Sequence, residues 1–197
     1  MHQELLFPSS PDYWEDRANK ILSNFNYKHP DEIDITDICW KYGIRILPLD
    51  EPFVQNYEID YQSIQHLTSF SIPFQKGRRG IIFIKSDMDP VVKKITLAEE
   101  FCHIYAHYIS QLQIDKNYLA KTENQAKRMA AYLLMPWHFL KNVLNLAYEE
   151  PVLISDIADY FLVTEEFARY RLELIYNRRI DVLVSHKGKL GSIEWLE

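Results

Sequence analysis

Residues 91–109 carry the pattern that most restricts what this chain can fold into. Set on a helix at about 100° per residue, Leu97, Phe101, Ile104 and Tyr105 fall on one arc. Glu99, Glu100, His103 and His107 fall within a neighbouring arc of roughly 100°. Four ionisable groups therefore share one edge of an otherwise apolar helix. Burying such an edge is costly unless the groups are paired or hold a metal.

A second long helix is expected from about Thr122 to Leu134, ending at Met135-Pro136 because the residue before a proline is pushed out of the helical region. Ala126, Met129, Ala130, Leu133 and Leu134 form its apolar stripe, and the two alanines let another helix approach closely. Glu123 opens this helix, three residues before Ala126. That offset points it across the helix pair toward His103.

The rest of the chain reads as a mixed fold. Pro11 to Phe25 has helical spacing in Trp14, Ala18, Ile21, Leu22 and Phe25. Ile35, Ile38 and Cys39 form one face of a short helix. Gly43 suits its C′ position, ahead of a strand over Ile44 to Leu47. Residues 50–75 show no clear period. Gly77 and Gly80 flank a turn, and Ile81 to Ile84 form a buried strand. A polar connection, "SQLQIDKNYLAK", separates the two long helices. A short helix follows at Trp137 to Tyr148. From Pro151 the pattern becomes helix, tight turn, helix, with Thr164 as the second N-cap, then a β-hairpin over Lys187-Gly188. The fold class expected is α+β, with domains at 1–149 and 150–197.

Composition narrows the function classes. The 197 residues are 47% hydrophobic and 25% charged, enough to bury a core without disulfide staples. Net charge is −6, which is ill suited to coating nucleic acid. The two cysteines, Cys39 and Cys102, form no framework, so a reducing compartment is expected. Cys102 has no visible general base and reads as a small buried hydrophobe. The start lacks signal-peptide features and no segment approaches a membrane span, so a cytoplasmic protein is expected. No P-loop, G-x-G-x-x-G or G-x-S-x-G element is present.

Residues 99–103, E-E-F-C-H, differ by one letter from the helical zinc-peptidase signature H-E-x-x-H. Glu99 and His103 are one turn apart, the separation that lets two side chains grip one ion, and Glu123 is the third candidate. Glu100 follows the first ligand position, where the signature places its general base. The plainer reading is a solvated Glu-Glu pair with histidines satisfied by their own helix. The helix alone leaves both open. His29, His66, His138 and His186 stand isolated and suit surface or packing roles.

Two stretches together resemble the ImmA/IrrE family. "KITLAEEFCHIYAHY" is similar to its T-L-A-H-E-L-G-H motif with a further histidine, and "ENQAKRMAAYLLMP" to its second motif, which ends L-L-M-P. "DITDICWKYGIRIL", "GRRGIIFIKSD" and "DIADYFLVTEEFARYRL" extend the likeness over roughly residues 14 to 176. The resemblance implies a mainly helical zincin-like peptidase core with a small β-sheet, plus a C-terminal helix-turn-helix-like pair and hairpin. It implies a zinc-dependent endopeptidase of bacteria, mobile elements and prophages that inactivates transcriptional repressors by cleavage. Position by position, His103 and Glu123 become metal ligands and Glu100 the base. The first ligand falls on Glu99, where the family has histidine, and Cys102 replaces a glycine.

Glu99 does not by itself abolish a site, because carboxylates bind zinc at about 2.0–2.2 Å. It changes the charge. Two histidines and one glutamate around a divalent ion leave +1, whereas Glu99, His103 and Glu123 leave zero. A neutral site stabilises hydroxide less and shifts preference toward harder ions such as manganese. In a second frame His107 supplies the other nitrogen, one turn beyond His103. The functional alternatives are an active peptidase, with a helix-turn-helix repressor as protein substrate, and a pseudo-peptidase that binds such a partner without turnover. A DNA-binding role for residues 155–175 is disfavoured, since Arg169 and Arg171 are mixed with Glu165, Glu166 and Glu173.

Overall fold

The structure is a computed structural model, and it describes residues 12–74, 77–107 and 116–195, with the side chains of residues 116–118 left aside. Three segments build the wall behind the ionisable helix. Helix α1 (Tyr13–Leu22) starts where Asp12 accepts from the Trp14 amide. Helix α2 (Ile35–Lys41) starts on Asp34 in the same way and buries Ile35, Ile38 and Cys39 as the spacing predicts. Gly43, at φ +69°, turns the chain into strand β1 (Ile44–Pro48), a left-handed conformation that costs glycine little.

The stretch without a clear period, residues 50–75, holds two short helices, α3 (Glu51–Gln55) and α4 (Tyr61–Ile64), and strand β2 (Ser69–Pro73). Segments of four or five residues are too short to display a helical repeat, which is why periodicity missed them. Strand β3 (Gly80–Ile84) is buried along its whole length and lies at the sheet's centre, parallel to β1 and antiparallel to β2. Among the described residues β2 is an edge strand. A Cβ on Gly80 would lie 2.5 Å from the Ile72 carbonyl oxygen and 3.0 Å from Ile104 Cδ1, so only glycine permits this approach of sheet and helix.

Helix α5 (Pro90–Ala106) crosses this sheet. Asp89 caps it, accepting from the Val91 and Val92 amides, with Pro90 in the first turn. The helix ends at Ala106 with His107 as its C-cap, before the expected end at Ile109, a residue that lies outside those described. Helix α6 (Lys116–Leu134) packs along α5, and Ala126, Met129, Ala130, Leu133 and Leu134 are all buried. It begins earlier than the expected Thr122, so Glu123 sits two turns inside it rather than at its opening. Residues 116–121, Lys-Asn-Tyr-Leu-Ala-Lys, include neither glycine nor proline, and Leu119, Ala120 and the two lysines are good helix formers, so nothing local stops the helix there.

Helix α7 (Trp137–Leu146) and a two-residue strand β4 (Val152–Leu153) lead to α8 (Ile154–Phe161) and α9 (Glu165–Tyr176). Thr164 caps α9 by accepting from the Phe167 amide at 3.2 Å, as expected. Strands β5 (Val182–His186) and β6 (Lys189–Ile193) form the hairpin, and β4 joins its edge. The class is α+β, with two three-stranded sheets among the described residues. Arg171 ties α9 to the rest. It is 1% exposed, donates through Nε to the Met135 carbonyl at 3.0 Å, faces Glu15 at 3.5 Å and lies 4.6 Å from the Tyr132 ring centre.

Candidate active site

Helix α5 and its C-cap distribute Glu99, Glu100, His103 and His107 among three neighbours. Glu100 turns to the sheet. It is 5% exposed, and Ser69 on β2 donates to its Oε1 at 2.7 Å. Ser71, two residues on and therefore on the same face of the strand, is also hydrogen-bonded to it. Its Oε2 is buried and has no partner. Burial raises the Glu100 carboxyl above the ordinary carboxylate range, against the opposing pull of His103 and the two serines. The carboxylate is thus oriented by one oxygen and left open at the other.

His103 turns to α6. It is 3% exposed, and its Nε2 lies 3.3 Å from Glu123 Oε2. Two donors on one tetrahedral zinc, with bonds of 2.0–2.2 Å, are separated by about 3.3–3.5 Å. The His103–Glu123 pair therefore fits as two corners of such a site.

Glu99 occupies a third setting. It lines a groove of about 200 Å³ between α5, α6 and α9, with Val92, Ile95, Lys127, Thr164, Glu166 and Phe167. Among the described residues it makes no side-chain hydrogen bond. Burial raises its carboxyl to about 7, with Glu100 and Glu123 adding to the rise and Lys127 and His103 opposing it.

His107 caps the C-terminal end of α5. Its ring centre is 5.7 Å from that of His103 and 5.9 Å from Trp14. It hydrogen-bonds the backbone of Thr122, and its buried Nε2 has no partner. Burial, His103 and Arg17 lower it to about 4. Arg17 reaches this end of the helix directly, donating to the Tyr105 carbonyl at 3.0 Å.

The structure thus brings His103 and Glu123 together, with Glu100 buried on the sheet side and Glu99 in the adjoining groove. Among the described residues no three histidine, cysteine, aspartate or glutamate side chains converge closely enough to hold a metal ion. Cys102 is fully buried, and burial raises its thiol well above the usual range. The sequence reading missed Ser69 and Ser71, although their two-residue spacing in "SFSIP" was the available signal. On α9, Arg169 pairs with Asp181 at 2.8 Å and Glu165 at 3.5 Å. With Arg171 buried, both arginines of that helix make intramolecular contacts.

Among the described residues, no helix is long and apolar enough to cross a membrane. The family model for the IrrE N-terminal-like domain, Peptidase_M78, matches residues 39–173. The chain is 30% identical over 173 residues to the uncharacterized protein YqaB of Bacillus subtilis (strain 168), a match that covers 87% of this chain and 88% of that one. The chain belongs to the M78 peptidase family, whose members are metallopeptidases.

Proposed function

We propose that this chain is a metal-dependent endopeptidase that hydrolyses a peptide bond in a protein substrate, with His103 and Glu123 as metal ligands and Glu100 as general base. The observation that carries this reading is the 3.3 Å approach of His103 Nε2 to Glu123 Oε2, beside a buried glutamate with one oxygen anchored and one without a partner. Glu99 is the motif's own candidate for the remaining protein ligand. Zinc is the metal that an imidazole and carboxylate set favours, with manganese next as oxygen ligation increases. When bound, the metal acts as a Lewis acid that polarises the scissile carbonyl and acidifies the attacking water.

The chain's own residues do the rest. Ser69 holds Glu100 Oε1, so Oε2 is the oxygen that takes the proton as water attacks the carbonyl carbon. Because burial already favours the protonated carboxyl, Glu100 keeps that proton until the C–N bond breaks and then delivers it to the leaving nitrogen. Among the described residues β2 is an edge strand, and that edge gives an extended peptide a backbone ladder beside Ser69 and Ser71. The substrate class is a helix-turn-helix transcriptional repressor, as the motifs imply.

The test is metal content of chain purified without chelators, followed by incubation with candidate repressors. About one equivalent of zinc or manganese, lost in Glu123→Ala, with cleavage lost in Glu100→Gln, is the expected result. Cleavage that survives both substitutions would refute it.

A further inference from the structure

The motif assigns Glu99 to the metal, yet among the described residues no three side chains of ligand type converge, and Glu99 lines a groove instead. The groove encloses about 200 Å³, room for one long side chain. Val92, Ile95 and Phe167 supply apolar walls, and Glu99 supplies a carboxyl that no described residue hydrogen-bonds. A carboxylate against apolar walls is costly without a partner. Lys127 also lines the groove, but its Nζ lies 3.9 Å from Glu166 Oε1 and 4.9 Å from the centre of the Tyr170 ring. Its charge is thus drawn toward α9. Two carboxylates, Glu99 and Glu166, stand against one ammonium, so the groove carries one net negative charge.

The groove lies beside the candidate chemistry. Glu99 precedes Glu100 and is one turn from His103, a Cβ separation of about 5–6 Å. Its carboxyl feels the charges of Glu100, His103 and Glu123. An extended peptide advances about 3.3 Å per residue. A side chain in the groove therefore belongs to a residue within about two positions of a bond held at His103. The opposite wall comes from the first turn of α9, so the C-terminal helical pair completes the groove.

We propose that this groove is a subsite for one substrate side chain, and that Glu99 selects a lysine or arginine there. The aliphatic stem lies against Val92, Ile95 and Phe167, and the cationic head meets the Glu99 carboxylate. An anionic group at the base of a side-chain slot is how a peptidase selects a basic residue. The assignment rests on the peptidase reading and deepens it. It gives Glu99 a role in specificity in place of the metal ligation that the motif suggests.

The experiment uses the full chain, labelled at its isoleucine and valine methyls and titrated with capped Ala-Lys-Ala, Ala-Leu-Ala and Ala-Glu-Ala peptides. It is run at about pH 8, above the value of about 7 to which burial raises the Glu99 carboxyl. The lysine peptide is expected to move the Val92 and Ile95 methyls and to bind about tenfold tighter than the leucine peptide. The glutamate peptide should bind least. Glu99→Gln should abolish the lysine preference, and Lys127→Ala should increase it by removing the competing cation. Opposite signs in these two variants are not expected of a merely structural glutamate. Unmoved methyls, equal binding of the lysine and leucine peptides, or a preference that survives Glu99→Gln overturns the proposal. Loss of zinc in Glu99→Gln also overturns it, since the side chain then belongs to the metal, and leaves the peptidase reading standing. Zinc uptake and repressor cleavage by the same wild-type protein judge that reading separately. If neither occurs while the lysine preference holds, the peptidase reading fails, and the groove's role toward a substrate fails with it.

Discussion

The sheet-facing and groove-facing sides of helix α5 hold adjacent glutamates in opposite ways. Glu100 meets two serines of β2: Ser69 fixes one carboxylate oxygen, Ser71 adds to the pull on the ionised form, and the other oxygen has no partner. Glu99, one residue earlier and about 100° around the helix, meets a groove with a lysine at its side. Both carboxyls are raised by burial, yet only Glu100 has the anchoring that aims a base. A perturbed carboxyl is therefore not a functional one until its orientation is known, and here orientation comes from the sheet.

The largest effect expected from this contrast is on catalysis. Glu100→Gln should lower peptide cleavage by about 10²–10⁴-fold while zinc binding stays unchanged. Wild-type cleavage by that variant, measured on the same repressor, would reduce Glu100 to a structural group and erase the contrast.

Next is the cost of Glu99. Its carboxyl keeps its proton to about 7 in the folded chain, against 4.5 as the ordinary value. Between those pH values the folded state binds more protons than the unfolded one, so stability falls as pH rises. Glu99→Gln removes that loss. In metal-free protein it should gain up to about 3 kcal/mol at pH 8 and nothing below pH 4.5. Urea unfolding at pH 4 and pH 8 checks this, and equal stabilities of variant and wild type at both would break the comparison.

A smaller effect of opposite sign comes from His107, lowered to about 4 from 6.5. Its neutral form contributes stability that is present above pH 6.5 and lost as pH falls toward 4. The two slopes oppose each other in the wild type. Glu99→Gln removes one part of the opposing slope while the raised Glu100 carboxyl keeps its own, so from pH 6.5 to 4 that variant should lose more stability on acidification than the wild type does. A pH series of unfolding curves for both chains reads it, and equal slopes for variant and wild type would contradict it. Partial solvent exposure keeps the His107 slope shallower than that of Glu99.

The smallest change is Ser69→Ala, which removes the 2.7 Å hydrogen bond to Glu100. Losing a bond to a charged acceptor is worth about 1.5–3 kcal/mol before Ser71 compensates. The acid limb of the cleavage profile should move to higher pH, because the ionised carboxylate loses a donor. An unmoved limb would mean that Ser71 alone sets the orientation of Glu100.

Much of the helical framework was legible in the sequence because long amphipathic helices repeat their pattern over several turns. The α5 stripe, the α6 alanines, the Thr164 cap and the Lys187-Gly188 hairpin all follow from spacing or turn chemistry. The early start of α6 was hidden because its first residues continue a mixed polar connection without a cap or an apolar period to mark the boundary. The β2 serines were hidden because a five-residue strand between short helices has no period long enough to stand out.

The sequence by itself determined that Glu99, Glu100, His103 and His107 share an edge of one helix, because 3.6 residues per turn leave no other arrangement. Only the tertiary structure decided which neighbour each one meets: the serines of β2 for Glu100, Glu123 of α6 for His103, the α9 groove for Glu99 and the Thr122 backbone for His107. Those partners come from segments 15 to 68 residues away in the chain. Local spacing places a side chain on a helix, whereas its chemistry depends on the surface packed against it.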